Sequence, residues 1–328
     1  MNLEEFIEIA NSGKGDLKEL CKIGEEILKN LDGHERGRIL GTLGNLNYVL
    51  GNFEKAENFY HEALLLYLKL SQDDESYIRY VVGCLFNLGN LYHTSGRYME
   101  AKECYRDALE TCNFLKNEEF KFEILSALGL LEIKLGNYRE AEKLLREAIE
   151  IKRDVKVLNN LAVTLIRLGK KDEAKKVLLE ALKIDKNFAV FQNLLALGEM
   201  NVEELENLDL PIEFKAKLKY LKAKKLEKEG KDASREFLEA GCLGFLAIRN
   251  GCNDSINYMH CFDKVIESNS ELSKVAEELK KIILRCYYRA DIEVDGLDLW
   301  NKIRRGDFGD GILSILLRRI ADDVKGFL

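Results

Sequence analysis

Proline and tryptophan are almost missing from this sequence, which has one of each, Pro211 and Trp300, among 328 residues. Proline interrupts helices and removes a hydrogen-bond donor from a sheet, so a chain with little proline can form long uninterrupted elements. Strict alternation of apolar and polar residues, the pattern of half-buried strands, is also rare, whereas helical spacing of apolar residues is common. These features predict an all-helical protein.

Long hydrophobic runs and paired cysteines are missing as well. No stretch approaches the roughly 18 apolar residues that a membrane helix needs. The amino terminus, MNLEEFIEIA, is acidic where a secretory leader is basic. None of the eight cysteines belongs to a Cys-x-x-Cys pair, so we interpret them as small buried residues in a reduced compartment. We expect a cytoplasmic protein with no membrane partner.

The common motifs of catalysis and cofactor binding are absent too. We find no phosphate loop, no nucleophile elbow and no dinucleotide-binding fingerprint, and the four histidines lack the paired spacing of a zinc site. We therefore expect no catalytic residue, no cofactor and no metal, and a protein that is not an enzyme. The net charge is -7 and no basic stripe follows the chain, which argues against nucleic acid as a partner.

A pattern of small and bulky residues recurs four times at fixed internal spacing. Each copy has a small residue, a glycine seven positions later, then an alanine, a bulky residue and a second alanine: Gly44, Gly51, Ala56, Tyr60 and Ala63; Gly89, Gly96, Ala101, Tyr105 and Ala108; Gly129, Gly136, Ala141, Leu145 and Ala148; Ala162, Gly169, Ala174, Leu178 and Ala181. The first small residue allows two helices to approach closely, and the glycine can take the left-handed conformation that ends a helix. Each copy is predicted to be a tight antiparallel helix pair.

Two asparagines follow turn glycines and are predicted to cap the second helix of their pair. Asn52 and Asn137 hold these positions, and Glu140 is placed to complete a capping box with Asn137.

The pattern resembles the tetratricopeptide repeat family, and the resemblance covers residues 37–186. The family's usual tyrosine in the first helix is present as Tyr92, but Asn47, Glu132 and Leu165 replace it in the other copies. The resemblance implies an all-α, right-handed superhelical solenoid with a helical carboxy-terminal cap or bundle. It also implies that the first helices line a concave groove for a peptide or protein segment, as in a noncatalytic scaffold or adaptor.

The sequence divides into four regions. Residues 1–36 are predicted to form a degenerate capping hairpin, and residues 37–186 four tetratricopeptide repeats. Residues 187–250 are predicted to form divergent repeats, and residues 251–328 a helical cap or bundle. Pro211 is expected to open a lysine-rich helix in the third region.

The predicted groove is amide-rich at one end and apolar with basic edges at the other. Asparagine suits a peptide backbone because its side chain both donates and accepts hydrogen bonds. The candidate groove residues are Asn45, Tyr48, Phe86, Asn87, Asn90, His93, Leu130, Ile133, Lys134, Lys156, Asn159, Val163, Ile166 and Arg167.

Two alternatives to the peptide groove stay open. In one, the protein is a regulatory module whose carboxy-terminal helical half contacts a second macromolecule, protein or RNA, through the lysine-rich stretch 215–231. In the other, the chain associates with itself through the hydrophobic ends of the solenoid.

Overall fold

A computed structural model of the chain describes residues 2–13, 15–115, 118–198, 205, 208–250, 257–288 and 315–320. In these ranges the chain forms helices, turns and loops but no strand, which confirms the predicted all-α class. Two compact units, Met1–Asp185 and Lys186–Leu328, make up the chain. Part of the predicted carboxy-terminal cap, including Trp300, lies outside the described residues.

The first unit is a series of antiparallel helical hairpins. A short hairpin opens it, and four longer ones follow. The hairpins are α1 (Leu3–Ser12) with α2 (Leu17–Leu28), α3 (Gly33–Val49) with α4 (Phe53–Asp73), α5 (Ile78–Thr94) with α6 (Tyr98–Leu115), α7 (Glu118–Lys134) with α8 (Tyr138–Ile151), and α9 (Val155–Arg167) with α10 (Lys171–Ile184); a single 3-10 turn, Glu75–Tyr77, precedes α5.

Glycine turns join the two helices of each repeat, as the sequence predicts. Gly51, Gly96, Gly136 and Gly169 have φ values of 77°, 81°, 78° and 77°, in the left-handed region that glycine adopts without strain. Asn52 and Asn137 stand at the predicted N-cap positions of α4 and α8, but the predicted side-chain bonds are wrong, because neither side chain accepts from the helix that follows it. Their side chains instead bond backwards, to the side chains of Asn47 and Glu132.

Small residues let the helices of each hairpin approach closely. A Cβ placed on Gly44 would lie 2.4 Å from the ring of Tyr60, and one on Gly89 would lie 2.5 Å from the ring of Tyr105. The repeat alanines of the second helices, among them Ala56, are fully buried. The spacing of small and bulky residues in the sequence therefore determines how the two helices of each hairpin pack.

A polar contact joins each hairpin to the next, and its chemistry changes from junction to junction. Asn47 lies 3.7 Å from the sulfur of Cys21 on α2, and Tyr92 donates to Glu57 on α4 at 2.8 Å. Glu132 pairs with Lys102 on α6 at 2.7 Å. At the fourth junction, where Leu165 has no polar atom, Lys170 pairs with Glu142 on α8 at 2.8 Å. These four contacts are the junction contacts.

The second unit is also helical. It contains α11 (Phe188–Leu197), α12 (Ile212–Lys228), α13 (Ser234–Arg249), α14 (Tyr258–Glu267) and α15 (Ser273–Tyr288), and residues 315–320 are helical too. Pro211 stands at the start of α12, as expected. The core of the second unit contains Phe237, Phe262, Ile283 and Leu317, together with other apolar residues of α12 to α15 and of residues 315–320.

Candidate functional site

The first helices of the four repeats lie side by side. α3 contacts α5, α5 contacts α7, and α7 contacts α9. The second helices α4, α6 and α8 each pack most extensively on the first helix of their own hairpin and also contact the first helix of the next one. All fourteen predicted groove residues lie on α3, α5, α7 and α9, and every one of them is exposed or partly exposed. Their apolar neighbours in sequence, such as Leu88 and Leu131, are buried.

Two asparagines of this face are held by tyrosines of the second helices. The hydroxyl of Tyr60 donates to Asn45 Oδ1, and that of Tyr105 donates to Asn90 Oδ1, both at 2.7 Å. Burial raises the pKa of both tyrosines, so the hydroxyls stay protonated and donate. Among the described residues, no acceptor bonds to Nδ2 of Asn45 or Asn90.

The same contact is apolar in the last two repeats. Leu145 and Leu178 replace the tyrosines, and Leu130 and Val163 replace the asparagines. The polar half of the predicted groove is therefore built by residue pairs, not by asparagines alone. The sequence signal for the pairing was the fixed separation of 15 residues in both pairs.

Aromatic and basic side chains meet in the middle of this face. The rings of His93 and Tyr98 have centroids 5.8 Å apart, and Lys134 Nζ lies 5.7 Å from the centre of the Tyr98 ring. Burial lowers the pKa of His93, with Lys134 adding to the effect. Its Nε2 is buried without a hydrogen-bond partner among the described residues.

The basic residues at the other end are exposed. Lys156 and Arg167 lie at the two ends of α9, and no carboxylate in the described part of the chain pairs with either. Asp154 accepts from the backbone of Lys156 and so caps the helix. Both cations are free to meet an acidic ligand.

A cavity of about 370 Å³ opens where α1, α3 and α5 meet. Of the predicted groove residues, it includes Asn45 and Asn87. The rest of its lining comes from five helices: Ile7 and Asn11 of α1; Gly37, Arg38, Gly41 and Thr42 of α3; Tyr67 of α4; Arg79, Tyr80, Gly83 and Cys84 of α5; and Phe120 of α7. We call this cavity the groove pocket.

Three lysines of α12 form ion pairs within the second unit. Lys219 pairs with the buried Glu239 at 2.8 Å, and Lys222 lies 3.8 Å from Glu236. Lys224 pairs with Glu227 at 2.8 Å. These ion pairs reduce the positive charge that α12 can offer to RNA.

In the part of the chain that the structure describes, no group of three or more His, Cys, Asp or Glu side chains is arranged to hold a metal ion. No helix in the described ranges is long and apolar enough to cross a membrane.

Hairpins with close small-residue contacts and left-handed glycine turns define a helical-repeat solenoid. Models of the tetratricopeptide repeat match residues 81–154 and 126–198. The chain therefore contains tetratricopeptide repeats, which these models place within residues 81–198. Such repeats are protein-interaction modules, generally without catalytic activity.

Curated relatives share only part of their length with this chain. Response regulator aspartate phosphatase A of Bacillus subtilis (strain 168) is 32% identical over 108 residues, which are 32% of this chain and 28% of the relative. Response regulator aspartate phosphatase E of the same organism is 27% identical over 121 residues, 37% of this chain and 30% of the relative. Mouse (Mus musculus) protein O-mannosyl-transferase TMTC2 is 31% identical over 100 residues, 28% of this chain and 12% of the relative.

Among solved structures, a tetratricopeptide repeat protein from Parabacteroides merdae ATCC 43184 is 19% identical. The alignment covers 85% of this chain and 97% of that chain, with a TM-score of 0.47.

Proposed function

We propose that this protein is a noncatalytic cytoplasmic adaptor that binds an extended or helical peptide segment along the exposed face of α3, α5, α7 and α9. The observation that carries the proposal is the pair of contacts from Tyr60 to Asn45 and from Tyr105 to Asn90. Each contact occupies a carboxamide oxygen and leaves the amide nitrogen as donor. Donors at fixed positions suit a ligand that offers acceptors, such as backbone carbonyls or a carboxylate.

The rest of the face supports a segment of mixed character. Leu130, Ile133, Val163 and Ile166 supply partly exposed apolar surface, and Arg167 supplies an unpaired cation at the edge. The proposed ligand therefore carries apolar residues and at least one carboxylate. Two Bacillus relatives are named for phosphatase action on response regulators, and a protein partner is consistent with those names.

The test compares partner capture by the intact chain and by a variant with Asn45→Ala, Asn90→Ala and Arg167→Glu. Both are used for affinity purification from the source lysate, followed by mass spectrometry and by titration of the recovered partner. A control variant carries Arg139→Glu and Glu147→Ala on α8, both exposed residues of a second helix. Circular dichroism confirms that all three proteins are folded.

Loss of a partner with the groove variant, and its retention with the control, is the expected result. We expect the affinity of the recovered partner to fall by about tenfold or more, because two donors and one charge are removed. Equal recovery by the intact chain and the groove variant would contradict the proposal and direct attention to the second unit.

A further inference from the structure

Two glycines in the middle of the first helices have no structural reason to be glycine. Gly41 lies within α3 and Gly83 within α5, and neither has a positive φ. A Cβ placed on either would meet no atom within 4 Å. At Gly44 and Gly89, on the same two helices, tyrosine rings occupy the space of a side chain, and an added Cβ would lie 2.4 and 2.5 Å from them. Glycine weakens a helix interior, so at Gly41 and Gly83 this cost is not offset by packing.

Both glycines face the groove pocket. They line it together with apolar side chains from three helices, including Ile7 of α1, Tyr80 of α5 and Phe120 of α7. Any side chain in place of Gly41 or Gly83 would extend into the cavity of about 370 Å³. The two glycines keep open a space that has apolar walls.

The rim of the groove pocket is cationic. The guanidinium of Arg79 lies 4.8 Å from the centre of the Tyr80 ring and donates to the Tyr80 hydroxyl at 3.0 Å. No carboxylate in the described residues pairs with Arg79, although the chain as a whole is acidic. An acidic group entering beside Tyr80 would find a positioned guanidinium that can bind it through two hydrogen bonds.

The second rim cation already binds a carboxylate. Both terminal nitrogens of Arg38 donate to the carboxylate of Glu4, with Nη2 2.9 Å from Oε2. Glu4 lies on α1, which also supplies Ile7 to the pocket wall. The contact shows that this rim accepts a carboxylate in a bidentate geometry.

We propose that the groove pocket receives a bulky apolar side chain of a bound peptide, with an aspartate or glutamate of the same peptide pairing with Arg79. The inference rests on the proposed peptide groove and names the residue types that its amide-rich end selects. The apolar walls around an open space favour the bulky apolar residue, and the positive charge of Arg79 favours the aspartate or glutamate.

A random twelve-residue peptide library selected on the full chain provides the probes. We expect enriched peptides to share an aromatic or large aliphatic residue with an acidic residue within two positions of it. One enriched peptide is then synthesised with a fluorescent label and titrated by anisotropy. Two changed versions replace its apolar residue by alanine and its acidic residue by the corresponding amide.

Protein variants then assign the two contacts. Gly83→Leu fills the pocket and Arg79→Gln removes the rim charge, while Glu147→Leu and Arg139→Gln make the same kinds of change at exposed positions of α8. We expect Gly83→Leu to weaken binding by about tenfold or more and Arg79→Gln by several-fold, with the controls unchanged. The amide version of the peptide should bind intact protein and Arg79→Gln with the same affinity.

The outcomes separate this inference from the proposed function. Peptides that lose binding with Asn45→Ala and Asn90→Ala but keep it with Gly83→Leu and Arg79→Gln would overturn the pocket assignment and leave the groove in place. Enriched peptides without a paired apolar and acidic residue would overturn it as well. Peptides insensitive to both sets of variants would overturn the pocket and the groove together.

Glu4 gives an independent check on the rim. Glu4→Gln removes the carboxylate that holds Arg38 and frees a second cation at the pocket. We expect this variant to bind the acidic peptide several-fold more tightly and the amide version equally. Weaker binding of the acidic peptide to Glu4→Gln would count against a cationic rim that recognises the ligand.

Discussion

Lys102 Nζ lies 2.7 Å from Glu132 Oε1, and this ion pair is almost completely removed from solvent, with side-chain exposures of 15% and 1%. Glu132 holds the position where the family usually has tyrosine, and Asn137 Nδ2 donates to its other carboxylate oxygen at 2.7 Å. A buried carboxylate is tolerated at this junction because a cation and an amide of the protein replace water around it.

This arrangement predicts a large coupling between the two residues. Lys102→Met or Glu132→Leu alone leaves one buried charge unpaired, so each should lower the free energy of unfolding by about 3 kcal/mol. The double variant removes both charges and should be close to the wild type in stability. Urea denaturation of the four proteins of the cycle measures the coupling, and additive losses would show that the pair does not act as a unit.

Glycine substitutions should have opposite effects within one helix. Gly83→Ala adds a methyl group in open space and should raise the free energy of unfolding by about 1 kcal/mol. Gly89→Ala, six positions further along α5, drives a methyl group into the ring of Tyr105 and should lower it. Gly41→Ala and Gly44→Ala should repeat the contrast in α3. Urea denaturation measures the free energy of unfolding of each variant. Destabilisation by Gly83→Ala would mean that the groove pocket is filled.

His93 should make stability depend on pH. Burial lowers its pKa in the folded protein, whereas the unfolded chain binds a proton below about pH 6.5. The favourable contribution is complete above that pH and is lost as the pH falls below it. His93→Gln should therefore lose less stability than the wild type between pH 7.5 and pH 5.5, as measured by urea denaturation across that range. Parallel curves for the two proteins would contradict the prediction.

Buried cysteines should resist alkylation until the protein unfolds. Burial raises the pKa of Cys84 to about 12 and that of Cys261 to about 12, so at pH 8 only about one molecule in ten thousand carries the thiolate at either site. Iodoacetamide at pH 8 should leave both unmodified in the native protein and label both in guanidinium chloride, as read by peptide mass spectrometry. Rapid native labelling of Cys84 would show that its helix opens readily.

The hairpin fold could be predicted from sequence because its signals are local. Gly51, Ala56 and Tyr60 each act on residues a few positions away or on the paired helix, so spacing alone fixes their roles. The predicted side-chain caps considered only the residues that follow each turn. Asn137 Nδ2 instead donates to Glu132, five residues earlier, and its side chain makes no capping bond to α8.

The candidate groove was predictable only in part. Helical spacing placed Asn45 and Asn90 on an exposed face, but the tyrosines whose hydroxyls bond to their oxygens lie 15 residues away on another helix, beyond the reach of helical spacing. The groove pocket depends on the packing of α1 against α3. This packing includes the contact between Glu4 and Arg38, which are 34 residues apart in the sequence. The repeat pattern did not include Gly83, because residue spacing reports contacts between side chains and not empty space.

The junction contacts limit how the hairpins of this chain can be reordered. The second helices carry different junction residues, since Glu57 meets the hydroxyl of Tyr92 and the guanidinium of Arg97 whereas Lys102 meets a carboxylate. Duplicating or shuffling a hairpin by recombination would place a lysine against a tyrosine or leave a glutamate buried alone. An array of identical repeats can lengthen by copying itself, but this one can diversify only by point substitution at both sides of a junction.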